Sequence, residues 1–222
     1  YEVITVNVGI TNQVIGIWAD TIKENSWKFY IMKSYELDYW HMDNCISKKD
    51  IIYLNNYINK NYHHKEEVSL AATDPVTVKT KKHADTKIIY LKEIKNKIDN
   101  ILTNFIDIAQ YRFGYDIFQP SDLDAVNYNT YLSKKNGHYG YHADNSLSEI
   151  YDIKLTLLIN ISMKPYEGGE FRYFNNQEYE IPQLNVPGNA IVIKPHLNHQ
   201  VLPVTKGERN TLTYFINGPK FR

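Results

Sequence analysis

The sequence is poor in the residues that build covalently linked or membrane-spanning scaffolds. Its single cysteine, Cys45, excludes an intrachain disulfide framework and any zinc or iron–sulfur cage made of cysteines. No run of about 18 apolar residues occurs, so the sequence predicts no transmembrane helix and no membrane partner. A chain with one thiol suits the reducing cytoplasm, which is the expected location. A targeting peptide removed ahead of Tyr1 stays an open alternative.

The chain also lacks an excess of charge of either sign, with 25 Lys and Arg residues against 25 Asp and Glu residues. Proteins that neutralise many phosphates present a net basic surface, so we expect no nucleic-acid partner. The length of 222 residues is sufficient for one domain with a sizeable core. We therefore expect residues 1–222 to form a single domain.

Two segments show the periodicity of helices. Ser47 and Asp50 have the spacing of a helix N-terminal capping box, and apolar residues at helical intervals follow them, which predicts a helix over 47–60. A longer apolar stripe predicts a helix over 90–111, and a stripe of that length indicates packing against a sheet. The polar segment 60–87 between them is interpreted as a long loop, with a short strand at 76–79 left open.

Short β-branched and aromatic runs predict strands at both ends of the chain. The predicted strands are 3–10, 13–19, 27–32, 125–131, 155–161, 170–174, 190–193 and 211–216. Turns that contain Gly or Pro separate most of the later ones. The pattern predicts a mainly β fold of the sandwich or jelly-roll type, with helices packed outside the β-core and the core motifs within 124–217.

A possible metal site is formed by residues with imidazole and carboxylate side chains. His142 and Asp144 would point to one face of an extended backbone, and His199 follows later in the chain. Two histidines and one carboxylate leave three open positions on an octahedral metal, which is typical of non-haem Fe(II) oxygenases. His196 is an alternative third ligand. We favour His199 because it begins a His-x-Val…Pro-Val series and lies closer to Arg209.

Arg209 and Thr211 form a second constellation, at the start of the last predicted strand. Residues two apart on a strand share a face, so a guanidinium would lie beside a hydroxyl. A bidentate Arg with one further hydrogen-bond donor is suited to binding a carboxylate. The pair therefore predicts an anion site close to the metal site.

These motifs occur in an order that resembles a known family. The order is Tyr131, then Tyr139-Gly140-Tyr141-His142-Ala143-Asp144, Tyr166-Glu167-Gly168-Gly169-Glu170, the His199 series, and Arg209-Asn210-Thr211. It resembles the 2-oxoglutarate- and Fe(II)-dependent oxygenases, most closely the prolyl 4-hydroxylase-like branch. The resemblance implies a double-stranded β-helix, which is a jelly-roll or cupin-like fold, with flanking helices.

The resemblance also implies roles for individual residues. His142, Asp144 and His199 would bind Fe(II), and Arg209 would hold the distal carboxylate of 2-oxoglutarate with help from Thr211 and Tyr131. The reaction would consume O₂ and 2-oxoglutarate, release succinate and CO₂, and hydroxylate an unactivated C–H bond, with ascorbate as a further reductant. One departure is Leu158, where some relatives carry a tyrosine that binds the co-substrate.

The substrate expected from the resemblance is a peptidyl proline, so the expected partner is a peptide or protein. A free amino acid or another small molecule is the alternative substrate for the same chemistry. Two other classes stay open: a non-catalytic β-barrel binding module that keeps a metal, and a zinc hydrolase. Segments 60–87 and 133–138 are candidates for a mobile lid, and the oligomeric state is left open.

Overall fold

The computed structural model describes residues 19–22, 26–29, 37–63, 65–70, 80–144 and 148–221. Helices α1 and α2 span Lys48–Asn61 and Lys95–Tyr111. The strands are β1 Ala19–Ile22, β2 Ser26–Phe29, β3 Tyr39–Met42, β4 Lys65–Leu70, β5 Thr80–Tyr90, β6 Ala125–Leu132, β7 His138–His142, β8 Tyr151–Asn160, β9 Glu167–Gly168, β10 Phe171–Asn175, β11 Gln177–Glu180, β12 Ala190–Ile193, β13 Asn198–Val201, β14 Val204–Lys206 and β15 Glu208–Pro219. Neither helix in these ranges has the length and apolar character needed to cross a bilayer.

The strands build a double-stranded β-helix. One arm has the order β6-β15-β8-β12 and the other has the order β7-β13-β10-β11, and every pairing within them is antiparallel. Apart from the hairpin of β10 and β11, these strands alternate between the arms along the chain, because β6, β8, β12 and β15 lie in one and β7, β10, β11 and β13 in the other. Strand β5 pairs with both β6 and β7 and so joins the arms. The predicted mainly β fold with a jelly-roll core is confirmed.

Residues on β8 alternate between two apolar clusters. Leu155, Leu157 and Ile159 belong to the cluster that contains the buried faces of α1 and α2. Leu158 belongs to the other cluster, which contains residues from both arms. Since successive side chains of a strand point to opposite faces, this strand separates the helical layer from the barrel interior. The interior face is the one that reaches the candidate site.

The predicted helices are confirmed with changed boundaries. Ser47 caps α1, and its hydroxyl accepts a hydrogen bond from the Asp50 amide at 3.1 Å, as the capping motif predicts. The helix predicted over 90–111 was placed too early, because α2 begins at Lys95 after a 3₁₀ turn at Leu91–Glu93. The Leu91 amide donates to the Asp124 carbonyl at 2.8 Å, so this turn is tied to the segment before β6.

Several strand predictions need correction or lie beyond the described residues. The loop assigned to 60–87 was wrong in part, because β4 and β5 occupy 65–70 and 80–90. The lid suggested for 60–87 therefore cannot include 65–70 or 80–87, which are sheet. The β-core also extends before 124, since β3, β4 and β5 join the same sheet. The predictions at 3–10 and 76–79, most of 13–19 and the end of 27–32 lie outside the described residues.

Candidate metal centre

Two histidines face each other across paired strands. His142 ends β7, His199 lies on β13, and the two residues are register partners with ring centroids 4.3 Å apart. The Nδ1 of His142 bonds the Gly140 carbonyl, and the Nδ1 of His199 bonds the Leu197 carbonyl, each at 2.9 Å. A carbonyl oxygen only accepts, so each Nδ1 carries the proton. In the neutral rings, each Nε2 then has a lone pair free to bind a metal.

Asp144 supplies the carboxylate, from a position just beyond the end of β7. Its Oδ2 lies 3.4 Å from the His199 Nε2, and its Oδ1 lies 3.8 Å from the His142 Nε2. Burial acts to raise the pKa of this carboxyl, but the hydrogen bonds of His199 and Thr156 and the charges of His199 and His142 outweigh burial and lower the pKa in the metal-free site. The group is therefore an anion at neutral pH and is available as a ligand.

These three side chains fit a divalent metal ion. One ligand atom from each of His142, Asp144 and His199 lies within 4.8 Å of the others, and in the described part of the chain no other set of three such residues does so. Two imidazole nitrogens and one carboxylate oxygen are the donor set that suits non-haem Fe(II). Because three protein ligands leave further positions open, a bidentate co-substrate and O₂ could bind beside them.

A cavity of about 110 Å³ adjoins the three side chains. His142, Asp144 and His199 line it, and Tyr131 from β6 and Leu158 from β8 form part of its wall. A larger cavity of about 520 Å³ lies near the start of α1, but none of the three metal-ligand candidates lines it. The smaller cavity is therefore the one that matters for chemistry at a metal bound here.

Arg209 is buried behind the Tyr131 ring. The residues are register partners on β15 and β6, and the Arg209 guanidinium carbon lies 5.6 Å from the ring centroid. The side chain is among the most buried in the described residues, at 1% exposure, and its Nε and Nη2 have no hydrogen-bond partner there. Since buried guanidinium N–H groups without an acceptor are costly, these two atoms fit the carboxylate of a bound anion.

The comparisons with known proteins agree with this chemistry. Residues 126–217 match the model of the 2OG-Fe(II) oxygenase superfamily. The matched residues, which make up less than half of the chain, resemble the core of a 2OG-Fe(II) oxygenase. A PKHD-type hydroxylase from Nitrosomonas eutropha is 33% identical over 106 residues, which are 44% of this chain and 45% of that protein. The match therefore spans less than half of that relative.

Solved structures share the fold of the oxygenase core at low identity. A prolyl-4-hydroxylase from Pseudomonas putida is 14% identical with a TM-score of 0.59, covering 82% of this chain and 94% of its own. A prolyl hydroxylase from Trichoplax adhaerens, solved with a hypoxia inducible factor peptide fragment, is 14% identical with a TM-score of 0.58. That alignment covers 81% of this chain and 83% of the Trichoplax chain.

The structure brings together most of the residues predicted to act at the site. His199, at 3% exposure, joins His142 and Asp144, whereas the rival His196 is exposed. Tyr131 lines the cavity directly. Arg209 and Thr211 are both buried, but neither lines the cavity wall.

Sequence reasoning missed Thr156 and Lys82 at this site, and it placed Tyr139 in the motif without giving it a role. The Thr156 hydroxyl donates to the Asp144 Oδ2 at 2.7 Å, and the signal was a hydroxyl within an apolar strand. Tyr139 stacks on His142 with ring centroids 3.5 Å apart. The Lys82 Nζ lies 4.9 Å from the Tyr139 ring centroid, and the residue lines the cavity. Lys82 carried no signal because its segment was interpreted as a loop.

Gly169 makes room for the Arg209 side chain. Its φ is +73°, and a Cβ added there would lie 2.9 Å from the Val204 Cγ2 and 3.0 Å from the Arg209 Cδ. We expect Gly169→Ala to displace the Arg209 stem and weaken 2-oxoglutarate binding by about tenfold, as expected for partial loss of a charged hydrogen bond. Fe(II) binding should change little. Anaerobic titrations with each ligand measure the two effects.

Gly114 provides a matched control for this substitution. Its φ of +68° is nearly the same, but a Cβ added there would meet nothing within 4 Å. Gly114→Ala carries the same backbone strain without the contact to Arg209. Equal 2-oxoglutarate affinities in the two variants would show that Gly169 does not set the position of the arginine.

Proposed function

We propose that this chain is an Fe(II)- and 2-oxoglutarate-dependent dioxygenase that hydroxylates an unactivated C–H bond. The observation that carries the proposal is the combination of three convergent metal-ligand candidates with a buried arginine whose Nε and Nη2 have no hydrogen-bond partner in the described residues. A metal bound for structure alone would not explain a buried guanidinium with open donors for a carboxylate. The non-catalytic binding module therefore explains the site less well.

Each residue has a defined task in this proposal. His142 and His199 would hold the iron through their Nε2 atoms, and Asp144 would hold it through one carboxylate oxygen. Arg209 neutralises the distal carboxylate of 2-oxoglutarate, with Thr211 and Tyr131 as helpers. Bound iron supplies the activation of O₂, coupled to the conversion of 2-oxoglutarate to succinate and CO₂.

The barrel residues around the site orient the co-substrate and exclude water. Phe171 and Leu158 are apolar parts of the cavity wall and are almost completely buried. Tyr131 is also buried and contacts both the cavity and the Arg209 guanidinium. In a site of this kind, charged contacts are stronger than in water because the surroundings are poorly polarisable. The zinc hydrolase is less well supported, since it needs a general base beside the metal.

We propose peptidyl proline as the substrate, with hydroxylation of the prolyl 4-hydroxylase type. Support comes from the solved proteins that share the fold, which include prolyl hydroxylases, one of them solved with a peptide fragment. The partner is then a peptide or protein. A free amino acid is the alternative substrate, and the experiment must distinguish it from a peptide.

A substrate panel tests this proposal. Purified protein with Fe(II), 2-oxoglutarate, ascorbate and O₂ is offered Pro-rich peptides, the same peptides with Ala in place of Pro, and free L-proline. We expect succinate release and the mass gain of one oxygen atom only with the Pro-containing peptides. If only free proline were oxidised, the substrate would be a small molecule and the peptide proposal would be wrong. A His199→Ala variant, assayed in parallel, reports the background without the iron site.

A further inference from the structure

Asp144 is held differently from the two histidines. His142 and His199 lie on paired strands, whereas Asp144 follows the end of β7 and has no strand to fix it. Its amide donates to the Pro195 carbonyl at 2.8 Å, and its Oδ2 accepts from the Thr156 hydroxyl at 2.7 Å. The orientation of the carboxylate therefore depends on a side chain from a different strand.

Thr156 is a rigid anchor for that hydrogen bond. It lies on β8 between two other strands, opposite Phe215 on β15 and Ile193 on β12, and is 1% exposed. A β-branched side chain has few χ1 choices, so its hydroxyl keeps one direction. Because the Thr156 side chain is itself buried, a hydroxyl at this position is costly unless it is bonded.

We propose that Thr156 is a positioning residue for the metal site, an inference that rests on the proposed function. The Asp144 Oδ2 is the carboxylate oxygen nearer to His199, at 3.4 Å from its Nε2. Without the Thr156 hydroxyl, the carboxylate loses the side-chain hydrogen bond that fixes its plane and is free to rotate. Rotation would turn its oxygens away from the positions they hold beside the His142 and His199 Nε2 atoms. Thr156 holds the carboxylate plane so that Asp144 stays directed toward the metal site.

Anaerobic Fe(II) titration without 2-oxoglutarate tests this inference, and no turnover is needed. We expect Thr156→Val to raise the Fe(II) dissociation constant by about 10- to 100-fold, the range typical of losing a residue that orients a metal ligand. Thr156→Ser keeps a hydroxyl at the same place and should restore most of the affinity. The d–d spectrum of the Co(II)-loaded protein should change in the valine variant and return in the serine variant.

Thr213→Val is the matched control. Thr213 lines the same cavity, but its hydroxyl accepts from the Asn129 amide at 3.2 Å and has no hydrogen bond to Asp144. Its loss should leave Fe(II) affinity unchanged. Wild-type affinity in Thr156→Val, or equal weakening in the Val and Ser variants, would overturn the inference.

Two further results separate this inference from the function on which it rests. Absence of Fe(II) binding in the wild type would overturn both the proposed function and the role of Thr156. Fe(II) binding in the wild type with no loss in Thr156→Val would overturn the role of Thr156 alone. Thermal unfolding checks that Thr156→Val folds; if it does not, Thr156→Ala against Thr156→Ser gives the same comparison.

Discussion

Arg209→Gln should lose 2-oxoglutarate binding while it retains Fe(II). The Arg209 guanidinium is buried, and its Nε and Nη2 have no hydrogen-bond partner in the described residues, so a carboxylate bound there would gain a fully desolvated ion pair. Truncating one partner of such a pair costs about 2–5 kcal/mol, which is roughly 30-fold to several thousand-fold in affinity. Anaerobic titration of the Fe(II)-loaded variant with 2-oxoglutarate measures the loss.

Arg172→Gln is the matched control for the arginine. Arg172 pairs with Glu178 at 2.8 Å, and its side chain is 33% exposed, so its loss removes a surface charge of the same kind. Exposed ion pairs contribute little, and the control should bind 2-oxoglutarate as the wild type does. If Arg209→Gln bound 2-oxoglutarate as tightly as this control, Arg209 would not be the carboxylate partner.

His199→Ala should abolish Fe(II) binding, which is the second of the two largest effects that we expect. His199 provides one of three convergent ligand atoms, and the ring is 3% exposed and fixed by its bond to the Leu197 carbonyl. The loss should exceed the roughly 10- to 100-fold cost typical of removing a residue that only orients a ligand. Metal content after anaerobic loading and desalting gives the result directly.

His196→Ala separates the two histidines of this segment. His196 lies three residues before His199 but is exposed, and it does not belong to the convergent group. This variant should keep its iron. Loss of iron from His196→Ala together with retention in His199→Ala would reverse the assignment of the third ligand.

Much of the barrel was predictable because its strands carry their own signal. β12 is fully buried and reads as a short β-branched run, and β6 begins where it was predicted. β5 was missed because Thr80–Tyr90 is rich in Lys, His, Asp and Thr. Its burial comes from pairing with β4, β6 and β7, which are contacts that no local pattern reveals.

The metal-ligand candidates were predicted correctly, but the structure brings them together in a different way from the one expected. The sequence argument placed His142 and Asp144 on one face of a single strand. In the structure β7 ends at His142, and Asp144 is brought to the site by bonds to Pro195 and Thr156. The His-x-Asp spacing therefore identified the right candidates, although the single extended strand assumed for it does not occur. Thr156 could not be predicted, because its role depends on a tertiary contact.

The two basic residues near the cavity were only partly predictable. Arg209 was expected from its place after His199, and the structure buries it behind Tyr131 rather than on the cavity wall. Lys82 reaches the site only because β5 pairs with β7, where Lys82 is opposite Tyr139. That residues 1–222 form a single domain stays a prediction.

The central claim is that this chain binds Fe(II) and 2-oxoglutarate together at one site. Anaerobic titration of the metal-free protein with Fe(II) and then 2-oxoglutarate tests it through the metal-to-ligand charge-transfer absorbance. We predict a band that needs both ligands and that disappears in His199→Ala and Arg209→Gln. Iron that binds without any band on addition of 2-oxoglutarate would contradict the oxygenase function and leave a metal-binding barrel as the better description.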